Sequence, residues 1–176
     1  NAGGGGDLIT ITDVSAIVVL GDTGNDQITV GTTDSDAIID GGADTDTVVF
    51  GGAAIDFTTG GSNDNFKLLN VEALTLVNNS ALTFTSTMFA LDNTYTATGN
   101  TAASSTITIA GTGAADTIDA TGVTMTNAAM TLNGAGGDDT INGTAAGDTI
   151  SGGAGSDVMA GAGGVDTLTY AGAANT

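Results

Sequence analysis

The sequence predicts an all-β fold: a parallel β-roll or β-helix solenoid of stacked coils. Three observations predict it. First, from Gly134 to Thr169 the chain repeats every nine residues, as GAGGDDTIN, GTAAGDTIS, GGAGSDVMA and GAGGVDTLT. A fixed short period marks a stack of like units, each burying its apolar face against its neighbours. Second, an Asp-marked repeat of ten residues runs through GDTGNDQITV, GTTDSDAIID, GGADTDTVVF and GGAAIDFTTG. Third, the chain is rich in Gly, Thr, Val and Ile and has no Pro, and its 29 glycines do not fall every third residue, so a collagen-like helix is excluded.

The elements divide into three zones. In the first, residues 1–67, the period-ten marks are Asp26, Asp36, Asp46 and Asp56, with Asp7 about two units earlier. In the second, residues 68–110, the marks stop and apolar residues alternate with polar ones, as in Val71 to Leu76, Ala81 to Thr85 and Thr106 to Ile109. Alternation at period two signals half-buried strands. Ser86 to Leu91 is expected to form a helical turn. Two architectures fit this zone: a continuation of the solenoid without metal turns, or a small sandwich. In the third zone, residues 111–176, the marks return with Asp116 in GTGAADTID, a 14-residue insertion follows, and the four nonapeptides come last.

Each nonapeptide divides into a Gly-rich turn of six residues and a strand of three. Gly reaches left-handed or crowded backbone positions without a Cβ clash. In the strand, successive side chains face opposite ways. The reading therefore points Ile141, Ile150, Met159 and Leu168 inward, and Thr140, Thr149, Val158 and Thr167 outward. Two units make one coil, and coils stack at roughly 4.8 Å. Asp139 then stands beside Asp157 on one edge, and Asp148 beside Asp166 on the other. Like charges stacked this closely are costly unless a cation lies between them. The available ligands are all oxygens, which suits Ca²⁺. Zinc would want His or Cys, and the chain has neither. Asp also favours plain turns, so a turn without metal is the alternative. Asp13, Asp64, Asp92 and Asp119 lie outside clear units and read as solvated turn residues.

These nonapeptides resemble RTX repeats, the GGxGxDxUx calcium-binding β-roll. GGAGSDVMA is nearly complete, while GTAAGDTIS lacks Gly at places two and four. In that family one turn gives the carbonyls of places two and four with the Asp at six, and the turn one coil later gives places one, three and five. The resemblance thus implies that Ala135, Gly137 and Asp139 share an ion with Gly152, Ala154 and Ser156. It pairs Thr144, Ala146 and Asp148 with Gly161, Gly163 and Val165, with Asp157 and Asp166 as further ligands. In the first zone it pairs Asp22, Gly24 and Asp26 with Gly41, Ala43 and Thr45. It pairs Thr32, Asp34 and Asp36 with Gly51, Ala53 and Ile55, and adds Asp7 and Asp46. Asp34 and Asp44 stand where Gly is usual. Several calcium ions are implied.

Composition bounds the function. Net charge is −19; nineteen of the twenty acids are Asp, Glu72 is the single Glu and Lys67 the single base. Phosphate binding needs Lys and Arg, so nucleic acid is excluded as a partner, and anionic membrane surfaces are disfavoured. No apolar run approaches a membrane span. Without His or Cys there is no triad or thiol chemistry, and no enzyme activity is expected. The aromatics Phe50, Phe57, Phe66, Phe84, Phe89, Tyr95 and Tyr170 are expected to fill the solenoid or its ends. The leading expectation is an extracellular, calcium-dependent structural or self-assembly protein: a surface-layer, sheath, filament or adhesin segment of a secreted bacterial protein. The runner-up is an accessory folding and secretion module of a secreted enzyme or toxin. RTX proteins commonly leave by type I secretion with an uncleaved C-terminal signal, and nothing after Tyr170 resembles one. The last turn, Gly161 to Asp166, carries half a site whose partner falls beyond Thr176. The Gly3–Asp7 run of a second copy could complete it, which gives head-to-tail self-association as an expectation.

A thin core of small aliphatics usually needs a staple, and metal-binding energy is then folding energy. The chain is therefore expected to be largely unfolded in chelator and folded in millimolar calcium. Circular dichroism checks this: the strand signal should grow through a calcium titration, and an unchanged signal contradicts it.

Overall fold

Apolar residues at every second strand position, in strands separated by turns of similar length, stack coil on coil into parallel ladders. The computed structural model describes residues 2–12, 17–31, 37–51, 54–58, 66–77, 80–89, 95–99 and 105–170. The N-terminal roll alternates between two sheets through β1 (Leu8–Ile11), β2 (Val18–Leu20), β3 (Gln27–Val30), β4 (Ile38–Asp40) and β5 (Thr47–Phe50). The middle of the chain holds β6 (Ala54–Asp56), β7 (Lys67–Leu69), β8 (Ala73–Leu76), β9 (Ala81–Thr85), the single helical turn α1 (Ser86–Phe89), β10 (Thr96–Thr98) and β11 (Ser105–Ala110). The remainder comprises β12 (Thr117–Asp119), β13 (Thr124–Thr126), β14 (Ala128–Asn133), β15 (Thr140–Asn142), β16 (Asp148–Gly153), β17 (Val158–Ala160) and β18 (Thr167–Tyr170).

All strand pairings are parallel among the described residues, and no sheet closes into a barrel. The chain is an all-β solenoid of parallel coils. One six-stranded sheet runs β1-β3-β5-β8-β10-β13, and another runs β6-β9-β11-β14-β16-β18. Two three-stranded sheets, β2-β4-β7 and β12-β15-β17, flank the two ends of the stack. The N-terminal coils therefore use two sheets, the coils β6-β7-β8 and β11-β12-β13 use three, the coil between them has α1 between β9 and β10, and the last coils use two again. Strands β8, β9, β10 and β11 of residues 68–110 belong to the two long sheets, so this segment is solenoid and not a separate sandwich.

Two segments depart from the repeats around them. The ten-residue period stops at β5: Ile55 is buried on β6, which pairs with β9, while β4 pairs with β7. Phe57 at the end of that strand belongs in the core, and its burial turns the chain onto a third sheet. The 14-residue insertion at 120–133 is built of strands. It supplies β13 and β14, which extend both long sheets.

The core is a set of apolar rows. Ile28, Val48 and Leu74 stack in register, as do Leu82, Ile107 and Met130. All six are at most 1% exposed. Each such side chain contributes about 1.5–3 kcal/mol on burial. Ile141 and Ile150 are buried, Met159 and Leu168 pack partly against them, and the flanking Thr140, Thr149, Val158 and Thr167 face outward. The three-sheet coils enclose a wider interior, and aromatics fill it. Phe57 stacks on Phe66 with ring centroids 3.8 Å apart and on Phe84 at 5.2 Å, while Phe50 meets its edge at 6.1 Å. Phe89 and Tyr95 meet edge to face nearby. Tyr170 is 57% exposed and does not join them.

Phe57 is the hub of this cluster. Phe57→Ala should lower stability in calcium by about 3–5 kcal/mol through the lost area and the cavity left behind. A urea titration followed by circular dichroism measures it.

Candidate calcium turns

Stacking brings the Asp marks into three columns. In the first, Asp7 N–H donates to Asp26 Oδ1 at 2.8 Å, Asp26 N–H to Asp46 Oδ1 at 2.8 Å, and Asp46 N–H to Glu72 Oε2 at 2.8 Å. In the second, Asp116 N–H donates to Asp139 Oδ1 at 2.8 Å and Asp139 N–H to Asp157 Oδ1 at 3.1 Å. In the third, Asp148 N–H donates to Asp166 Oδ1 at 3.0 Å. The sequence separations of 19, 20 and 26, then 23, 18 and 18, differ, yet the rung is the same. One carboxylate oxygen is thus fixed by the backbone of the previous coil.

The other oxygen is the informative one. Oδ2 of Asp7, Asp26, Asp46 and Asp139 is buried and accepts no hydrogen bond. A buried carboxylate oxygen without a donor is expensive. It does have oxygen neighbours. Except in the Asp7 turn, where place one is Ala2, the first residue of the turn is a Gly whose missing Cβ leaves a small cradle. A Cβ on Gly134 would overlap Asp139 Oδ2 and lie 2.5 Å from the Gly152 carbonyl oxygen. On Gly143 it would lie 2.6 Å from Asp148 Oδ2 and 2.7 Å from the Gly161 oxygen. On Gly21 it would overlap Asp26 Oδ2 and the Gly41 oxygen. On Gly41 it would lie 2.6 Å from Asp46 Oδ2 and overlap the Asn70 oxygen. Each cradle joins the Asp of one turn to a carbonyl of the next coil. At Gly134, Gly21 and Gly41 the Asp Oδ2 has no donor, and carbonyl and carboxylate oxygens gathered in this way suit Ca²⁺. No three carboxylates meet at one point among the described residues, so a cation must draw its other ligands from backbone carbonyls.

The turns are shaped for this. At place two, Gly3, Asp22, Gly42, Ala135, Gly153 and Ala162 have positive φ, and at place four so do Gly5, Gly24, Asp44, Gly137, Gly155 and Gly164. Asp44, in a place usual for Gly, keeps the turn with φ 86°. Its carboxylate accepts Gly24 N–H at 3.2 Å. Consecutive turns also hydrogen-bond directly. Ala135 O accepts Ala154 N–H at 3.0 Å and Ala154 O accepts Gly137 N–H at 2.8 Å. Asp22 O accepts Ala43 N–H at 2.8 Å, Ala43 O accepts Gly24 N–H at 3.2 Å, and Thr144 O accepts Gly163 N–H at 3.2 Å. A carbonyl has two lone pairs, so each keeps one for a cation.

The expected partners Asp139 with Gly152, Asp148 with Gly161, and Asp26 with Gly41 are therefore brought together. Asp34, Asp36 and Ala53 lie outside the described residues. Gly51 stacks on the N-terminal roll, its N–H donating to Val30 O at 3.1 Å. The expected pairing of Thr32, Asp34 and Asp36 with Gly51, Ala53 and Ile55 thus falls mostly outside the described residues; among those described, β4 pairs with β7 and β6 with β9. Asp56 binds locally instead, accepting the Thr58 N–H at 2.8 Å and hydroxyl at 2.6 Å. Sequence reasoning missed Glu72 and Asn70, which receive Asp46 and its cradle one coil on. Being the only Glu in the chain was Glu72's one visible signal.

Burial pushes the Asp46 carboxyl up from its ordinary value, and Asp26, Glu72 and Asp44 add to this, against the Asp26 N–H. Burial does the same at Asp139, where the Asp116 N–H opposes it and Asp157, Asp116 and Asp138 reinforce it. These are the electrostatics of a carboxylate column that a cation would relieve.

The matching family model is the RTX calcium-binding nonapeptide repeat, in four copies, over residues 133–168. Residues 133–168 are RTX repeats. No curated protein and no solved structure matches the chain. RTX repeats bind calcium, and the orphaned oxygen of Asp139 in its carbonyl-lined cradle agrees with that ion. The turns before β3 and β5, outside the matched segment, carry the same backbone geometry as the RTX turn before β15.

Gly134→Ala tests the cradle. Its Cβ would crowd both Asp139 and the Gly152 carbonyl. Calcium affinity of the weakest-binding class should fall by a factor of about ten or more, equivalent to roughly 1.4 kcal/mol. Isothermal titration calorimetry reads the change.

Proposed function

We propose that this chain is an extracellular calcium-dependent structural segment, of the kind that builds a surface layer, sheath, filament or adhesin. The observation that carries the proposal is the column of carboxylates with buried, undonated oxygens in both rolls. Such a stack needs calcium to hold its charge, and the millimolar concentrations outside cells suit modest oxygen-only sites. RTX proteins are typically secreted, which supports the same location. The chain offers binding turns and exposed Thr faces, and we propose no catalytic role. No helix is long and apolar enough to cross a membrane among the described residues.

Self-association is part of this reading. Solenoids have open ends that need caps or partners. β1 and β2 end their sheets on one side of the stack, and β17 and β18 end theirs on the other. Two unlike ends meeting head to tail would generate a fibre. The alternative is an accessory module that helps a larger secreted protein fold, and it draws on the confinement of the matched repeats to residues 133–168.

Light scattering in calcium and in chelator separates the two. The structural reading expects assemblies that grow with chain concentration in calcium and vanish in chelator. A strictly monomeric calcium-bound chain contradicts it and favours the accessory module.

A further inference from the structure

Two acidic turns are built unlike the rest. In GTGAADTID and GTAAGDTIS the second place is Thr and the fourth is Ala. None of Thr112, Ala114, Thr144 and Ala146 has positive φ, whereas places two and four of the other described acidic turns do. The altered backbone turns the place-two N–H onto the turn's own carboxylate. Thr112 N–H donates to Asp116 Oδ2 at 2.6 Å, and its hydroxyl donates to the same oxygen at 2.9 Å. Thr144 N–H donates to Asp148 Oδ2 at 2.7 Å, and its hydroxyl is shared between Oδ1 at 3.0 Å and Oδ2 at 3.1 Å. The hydroxyls also accept the place-four N–H, from Ala114 at 3.2 Å and Ala146 at 3.0 Å. Each turn is closed on itself.

Their positions in the columns match this chemistry. Asp116 and Asp148 are the first rungs of the second and third columns, so no Asp N–H from an earlier coil reaches their Oδ1 among the described residues. Asp116 Oδ1 instead accepts the Ser86 hydroxyl at 2.7 Å, and Asp148 Oδ1 takes its share of Thr144. Below Asp148 in the sheet lies Met130, an apolar residue. Both carboxylates therefore have donors on both oxygens. Asp139, one rung above Asp116, has a donor only on Oδ1. The cradle at Gly143 still gathers Asp148 Oδ2 and Gly161 O. Its carboxylate, however, already accepts two hydrogens from Thr144 and would have to release them to take an ion.

We infer that the Thr-closed turns 111–116 and 143–148 are ion-free caps that start the two carboxylate columns of the C-terminal roll, and that calcium enters only from the Asp139 turn onward. The inference rests on the calcium reading above. It departs from the repeat match, whose four copies over residues 133–168 take in the 143–148 turn with its neighbours.

The test counts ions on the full chain at saturating calcium, by equilibrium dialysis and metal analysis. Asp139→Asn should bind one ion fewer than wild type, and Asp148→Asn, in which the amide oxygen still accepts from Thr144, should bind as many as wild type. Equal losses, or the larger loss from Asp148→Asn, overturn the inference. If either variant does not fold in calcium, terbium-soaked crystals of the wild type decide by anomalous scattering. Terbium between Asp139 and Gly152 with none at Asp148 supports the inference; terbium at Asp148 overturns it. A wild-type chain that takes up no calcium at all overturns the calcium reading and this inference together.

Discussion

A backbone N–H that donates to the carboxylate of the next coil is the contact on which the rest of the structure depends. It recurs at Asp7, Asp26 and Asp46 in one column, at Asp116 and Asp139 in a second, and at Asp148 in a third. Fixing one oxygen this way sets the height and orientation of the carboxylate, and it turns the other oxygen toward the carbonyls of the adjacent turn. The remaining features of the turn follow. At Gly21, Gly41, Gly134 and Gly143 place one lacks a Cβ, because the carboxylate lies there. Except in the turns at 111–116 and 143–148, places two and four of the described turns take positive φ, and successive turns nest and bond to one another. The cost is a stack of negative charges, partly buried, in a chain with one Lys and no Arg or His partner for them. Only cations from solution can offset it.

Between its two rolls the solenoid changes cross-section. Coils of two strands need only a thin core, and Ile, Val and Leu in single rows supply it. Once β6 departs to a new sheet, the coil has three sides and a larger interior. Phe50, Phe57, Phe66 and Phe84 fill that space, with Phe89 and Tyr95 beside them. The two long sheets run through this region, so the acidic columns at either end stand on one continuous framework. The middle coils keep the strand pairing: Tyr95 follows Glu72 in the first column, and Thr96 N–H bonds to Glu72 O and Thr124 N–H to Tyr95 O, the same ladder bond that accompanies the carboxylate rungs.

The nonapeptides were readable because the same residue types recur at the same spacing, and the coil imposes the same contacts on each. Inward Ile141 and Ile150, and the pairs Asp139–Asp157 and Asp148–Asp166, followed from period and alternation alone. The fate of GGAAIDFTTG did not. Its Asp56 copies the period of its neighbours, but the burial of Ile55 and Phe57 against β9 outweighs a turn motif. The 120–133 segment looked like an insertion because its strands carry no Asp marks; strand pairing, which needs no particular side chain, places it in the stack. Glu72 was hidden because it reaches its rung across a coil of irregular length.

By itself the sequence determined the fold class, the acidic turns and the oxygen-only character of their ligands, because all three are periodic and local. Tertiary structure decided what each turn does with its carboxylate. Thr112 and Thr144 differ from their neighbours by one residue type, yet whether a hydroxyl and N–H reach Asp116 and Asp148 depends on backbone φ and on what lies one coil below. A column has a first rung only once the coils are stacked, and the donor that a first rung lacks cannot be read from any single repeat.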